Sequence, residues 1–141
     1  INVAKAGAPR YPLPVAQVTS DRKEGGKRLV TLRLKGSPQT SAMALRVPKE
    51  AKLLSLDFRG QHIVASKEWS GNTTVSCLSR DCAGMELTLT LGNTGPLKLV
   101  YAEQRYGLPP FGDALKAARP ANAMPSQSGD EINLANTVTL K

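Results

Sequence analysis

Apolar and polar residues alternate with a period of two through most of this chain, and Gly, Pro, Asn and Asp interrupt the alternation at short intervals. Period two is the repeat of a strand that buries one face. In Lys27–Lys35, the residues Arg28, Val30, Leu32 and Leu34 share one side and Leu29, Thr31, Arg33 and Lys35 share the other. That sets a mostly apolar face against a basic one. Met85–Leu91 alternates strictly, with Met85, Leu87, Leu89 and Leu91 inward. The same pattern predicts strands over Val15–Thr19, Ser41–Val47, Leu53–Phe58, Gln61–Ala65, Thr73–Leu78, Leu97–Tyr106 and Glu131–Leu140. Asp21–Gly26 is the expected turn between the first two strands, and Arg59-Gly60 that of a tight hairpin.

Residues 1–14 read as an extended lead-in, because Pro9, Pro12 and Pro14 cannot donate to a ladder. Asp113–Arg119 has helix formers behind a candidate Asp cap and stops at Pro120, so at most two turns are expected. About eight short strands at regular spacing, with Gly- and Pro-rich turns, predict an all-β class. The expectation is a β-sandwich over residues 15–141, immunoglobulin-, fibronectin- or jelly-roll-like, with one short helix near the C-terminus.

The bulk numbers refine this picture in three ways. A chain of 141 residues fits one domain with a real core. Aromatics make up only 4%, so that core rests on Leu, Val, Ile and Ala. No apolar run approaches the ~18 residues of a membrane-crossing helix. The sequence opens Ile1-Asn2-Val3, without a signal-like n-region, and is expected to be a mature form or a fragment of a larger protein.

Net charge is +8 and unevenly spread. Residues 1–60 hold twelve Lys or Arg against four Asp or Glu, and residues 61–141 hold seven of each. Arg22, Lys23, Lys27, Arg28, Arg33 and Lys35 therefore stand as a candidate docking face for an anionic membrane or an acidic partner, beside the plainer reading of solvated charges on a hairpin. Nucleic acid is the least favoured partner, since no aromatics interleave with the cations for bases to stack on.

Cys77 and Cys82 are the only cysteines. A zinc half-site would need a second ligand pair, and a redox motif would read Cys-x-x-Cys beside a βαβ pattern. A disulfide is favoured over two free thiols, and the spacing fits a hairpin turn between Thr73–Leu78 and Met85–Leu91. A disulfide implies an oxidising compartment. The single histidine, His62, leaves little for nucleophile–base or metal chemistry, so no catalytic or metal-ligating residue is assigned. A small enzyme built on His62 would show itself by hydrolysis lost in a His62→Ala variant. Trp69, Tyr101, Arg105 and Tyr106 are candidate ligand contacts, with a place at the core rim as the simpler role for Trp69 and the same alternative open for the other three.

Several loop segments carry a resemblance. Gly36-Ser37-Pro38-Gln39, Ala44-Leu45-Arg46-Val47-Pro48 and Leu56-Asp57-Phe58-Arg59-Gly60-Gln61 are similar to part of a family pattern. So are Tyr106-Gly107-Leu108-Pro109 and the stretch from Ala118-Arg119-Pro120 to Ser128-Gly129-Asp130. Together, over roughly residues 30–140, they resemble the C-terminal region of bacterial membrane-spanning zinc exopeptidases. These are relatives of the endoplasmic reticulum metallopeptidase, within aminopeptidase family twenty-eight. The resemblance implies a soluble, non-catalytic β-domain that follows an extracytoplasmic di-zinc peptidase domain and several transmembrane helices, on the periplasmic side of the inner membrane. It implies no cofactor here, zinc being held by the peptidase domain, which is the expected partner. No metal ligand of that family has a matching position in this chain. The other class open to the sequence is a free-standing extracytoplasmic module that binds carbohydrate or protein.

Overall fold

The alternating segments form strands and bury their apolar sides against one another. The computed structural model describes residues 11–66, 71–109, 112–124 and 130–141. Among these lie nine strands: β1 (Val15–Glu24), β2 (Lys27–Lys35), β3 (Thr40–Val47), β4 (Leu53–Phe58), β5 (Gln61–Val64), β6 (Thr73–Cys77), β7 (Gly84–Leu91), β8 (Leu97–Tyr106) and β9 (Glu131–Leu140). A five-residue helix, α1 (Asp113–Ala117), precedes β9. The strands make two antiparallel sheets, ordered β1-β2-β7-β4-β5 and β6-β3-β8-β9. Leu32, Leu34, Leu87 and Leu89 from the first sheet and Met43, Leu45, Leu99 and Leu140 from the second share one fully buried core. The predicted β-sandwich is therefore the fold.

With β5 and β6 set aside, the other seven strands follow the order of a constant-type immunoglobulin sandwich, β1-β2-β7-β4 in one sheet and β3-β8-β9 in the other. β5 and β6 are inserted between the fourth and fifth strands of that pattern, and each widens a different sheet.

Three details differ from the sequence expectation. The first strand runs to Glu24, not Thr19. A register shift between Val18 and Ser20 absorbs Thr19 as a bulge, so Asp21–Glu24 keep pairing with Lys27–Val30. Gly25 and Gly26, at φ 55° and 73°, then close a two-residue turn that needs positive φ at both positions. The helix ends at Ala117, and its N-cap is Gly112 with no side-chain bond, so Asp113 is not the cap.

The third difference concerns the cysteine turn. β6 pairs with β3, while β7 pairs with β2 and β4, so Thr73–Leu91 is no hairpin. It is a crossing from one sheet to the other. Cys77 and Cys82 are joined by a disulfide, Cα–Cα 5.7 Å, and both are buried. Ser79 caps the 3-10 turn Arg80–Ala83 by accepting from Asp81 N. β6 belongs to one sheet and β7 to the other, so the connection must step across an inter-sheet gap of about 10 Å rather than the 4.8 Å of a ladder. The disulfide closes the first part of that connection, tying the end of β6 to the 3-10 turn, which packs on β3.

All strand pairs are antiparallel, so successive connections alternate between two ends of the sandwich. The β1–β2, β3–β4 and β7–β8 connections and the last residues of β9 lie at one end. The incoming chain, the β2–β3 and β4–β5 turns and the disulfide crossing lie at the other.

Candidate functional site

Two buried charge clusters fix the two ends. At the end where the chain comes in, Glu103 continues the inward row Leu97, Leu99, Tyr101 of β8 and is fully buried. Its Oε1 accepts from Ser37 N at 2.7 Å, Ser37 Oγ at 2.8 Å and Thr40 Oγ1 at 2.5 Å, and its Oε2 accepts from Arg105 Nη2 at 2.7 Å. Burial by itself raises the Glu103 pKa. The bonds from Arg105, Thr40 and Ser37 outweigh it and hold the carboxyl at about 2. The β2–β3 loop wraps so closely that a Cβ on Gly36 would lie 2.3 Å from Thr40 Oγ1. Arg105 also donates to Pro12 O, and Asn136 to Pro14 O, which ties the lead-in to β8 and β9.

The structure places two of the four expected ligand contacts in the interior. Arg105 is 7% exposed and serves the Glu103 clamp, and Tyr101 is 3% exposed in the core, so neither presents itself to a ligand. Their inward positions on β8 are the reason. Tyr106, at 56%, is exposed on the outer face of the β6-β3-β8-β9 sheet. On that face Ala42, Ala44, Ser76, Leu78, Ala102, Gln104 and Asn133 border a shallow depression of about 200 Å³. Trp69 lies outside the described residues.

His62 is half exposed on β5 and pairs through Nδ1 with Asp57 Oδ1 at 2.6 Å, cross-strand on the hairpin. Among the described residues no three His, Cys, Asp or Glu side chains converge on a point that could hold a metal ion.

At the other end Arg28 is fully buried. Its guanidinium donates to Asp21 Oδ1 and Oδ2 at 2.8 and 2.6 Å, to Gly95 O at 2.7 Å and to Lys141 O at 2.5 Å. The bond with Asp21 raises the Arg28 pKa further above its ordinary value and lowers that of Asp21. One side chain thus ties together the β1–β2 hairpin, the β7–β8 loop and the end of β9. Asn93 adds a second tie, its backbone N donating to Ala51 O and its side chain to Glu50 O across the β3–β4 connection. Lys49 N donates to Asn72 Oδ1 ahead of β6. Arg28 is therefore a structural clamp and leaves the proposed docking set.

Around these clamps stand Arg22, Lys23, Lys27, Arg46, Lys49, Lys52, Lys98 and Lys141, all exposed. None of the eight forms an ion pair among the described residues. With Arg28, this end holds nine cations against Asp21, Glu24 and Glu50, a net of +6, whereas the rest of the described chain holds seven Lys or Arg against seven Asp or Glu. Of the expected cations, Arg33 and Lys35 are exposed at the opposite end of β2, and Arg33 pairs with Glu86 at 3.0 Å. Arg46, Lys49, Lys52, Lys98 and Lys141 join the patch although the hairpin sequence gave no hint of them.

No helix among the described residues is long and apolar enough to cross a membrane. No family model matches the chain, and no curated protein or solved structure matches it.

Proposed function

We propose that this sandwich is a non-catalytic accessory domain of a membrane-anchored zinc-dependent peptidase, working outside the cytoplasm, and that it docks through its basic end. The observation that carries this reading is the segregation of the exposed cations onto connections locked to one another by Arg28 and Asn93. A charged surface that is rigid before contact loses little conformational freedom on binding, which suits a part whose task is to orient one body against another. The loop segments that resemble the zinc exopeptidases supply the parent. Its peptidase domain, in the same chain, would hold the zinc and be the partner that this domain packs on or orients. The buried Cys77–Cys82 disulfide supports an oxidising compartment.

An antibody raised against residues 15–141 tests the reading on membrane and soluble fractions of the source cells. The expected result is a membrane-bound polypeptide several times larger than 15 kDa, with peptides of a metallopeptidase domain in its digest. A soluble band near 15 kDa would overturn it. The depression on the outer face of the β6-β3-β8-β9 sheet, the face that also carries Tyr106, favours a second reading, a free-standing module for carbohydrate or protein. Binding on a glycan array that disappears in a Tyr106→Ala variant would support that one instead.

A further inference from the structure

We infer that the basic end docks on the anionic headgroup plane of a phospholipid bilayer, an assignment that rests on the docking reading above and names the surface on which that end rests while the domain orients its peptidase neighbour. The eight exposed cations come from four separate connections and strand ends rather than from one groove. They present a broad, single-signed end with only Glu24 and Glu50 opposing it. Six of the eight are lysines. Lysine is depleted in protein–protein interfaces, and specific recognition of single carboxylates or phosphates relies on the arginine fork. Lysine suits a diffuse negative surface, which it meets as a point charge. Exposed apolar side chains flank the patch on the β4–β5 edge, Leu54 at 38% and Val64 at 68%. Such groups enter the interfacial layer while the lysines stay among the phosphates. A single-stranded nucleic-acid surface would call for aromatics on which bases stack, and the described residues of this end carry none.

The rigid clamps give the docked domain one orientation. The strands would stand on the membrane with the β1–β2 tip, the β3–β4 connection and the β7–β8 loop in contact. The disulfide crossing and the incoming chain would face away from the bilayer.

Co-sedimentation of the full chain with phosphatidylcholine vesicles and with vesicles of phosphatidylcholine and phosphatidylglycerol at 3:1 tests this. Binding is expected only to the anionic vesicles at about 0.05 M salt, and to fall steeply by 0.5 M as the Debye length shortens. Each neutralised lysine should weaken partitioning about fivefold. A Lys27→Gln, Lys49→Gln, Lys52→Gln variant should therefore lose about a hundredfold. A Lys35→Gln, Arg80→Gln, Lys116→Gln variant removes the same charge elsewhere and should lose less than about threefold. Equal losses in the two variants, or equal binding to both vesicles, would overturn the inference. No vesicle binding, with salt-sensitive retention on polyglutamate or a labelled oligonucleotide, would overturn the lipid assignment and leave the docking reading standing. Retention on none of these surfaces would overturn both.

Discussion

Replacing Glu103 with Gln removes one charge and almost no volume from the most connected buried group in the sandwich. The amide oxygen can still accept from Ser37 and Thr40, which now bond Oε1. The amide nitrogen must then face Arg105 Nη2, donor against donor, and Arg105 loses its only carboxylate partner while 7% exposed. Breaking a buried pair from one side costs about 3–5 kcal/mol, since the remaining charge is left uncompensated. The expected loss of stability at pH 7 is at the lower end, roughly 3 kcal/mol, because Arg105 keeps its bond to Pro12 O. For a chain of this size that lowers Tm by roughly 10 °C. The pH dependence provides an independent check. The folded carboxyl sits at about 2 against an ordinary value of 4.5. A depressed carboxylate pKa stabilises the fold above 4.5, and the contribution fades as pH falls from 4.5 to 2, a change of about 3 kcal/mol. The stability gap between wild type and Glu103→Gln should therefore be widest above pH 5 and narrow toward pH 2. Urea unfolding followed by circular dichroism at pH 7, 4 and 2.5 measures it. A variant within 1 kcal/mol of wild type at pH 7, or two pH curves that stay parallel, would refute the account of Glu103.

Substituting Arg28 by Met should cost about 3 kcal/mol and raise amide exchange together in the β1–β2 tip, the β7–β8 loop and the end of β9, because one guanidinium serves all three. Faster exchange confined to the hairpin would contradict that shared role. Removing the disulfide as Cys77→Ala, Cys82→Ala should cost about 2 kcal/mol, the value for so short a closed loop. An unchanged urea midpoint would show that the sheet crossing holds without the bond.

The local pattern carried most of the fold. Alternation located every strand, and Arg59-Gly60 closed its hairpin where expected, while the first turn shrank from Asp21–Gly26 to Gly25-Gly26. The sheet crossing at Cys77–Cys82 was not legible in the same way. A five-residue spacing is compatible with a hairpin or with a step between layers, and the choice depends on β3 competing for β6 at a distance in sequence. Glu103 and Arg105 could have been read as buried from parity alone. They share the side of β8 occupied by Leu97, Leu99 and Tyr101, so a ligand contact at Arg105 would have required turning its strand over. Arg28 likewise shares the side of Val30, Leu32 and Leu34, and counting it as a surface cation set composition above periodicity.

The basic end was hidden for a related reason. Comparing the two halves of the sequence assigns all the excess charge to residues 1–60, but strands that alternate in direction distribute each half over both ends. Arg33, Lys35 and Arg59 belong to the basic half and lie away from the patch, whereas Lys98 and Lys141 belong to the neutral half and lie within it. The informative count is by connection parity. Odd-to-even connections, β1–β2, β3–β4 and β7–β8, share one end, and even-to-odd ones share the other. Sorted that way, a modest compositional bias becomes a one-sided field at the end where Arg28 and Asn93 hold the connections in register. Charge placed on both ends would orient nothing. Charge on one clamped end defines a direction, and the proposed accessory role depends on such a direction.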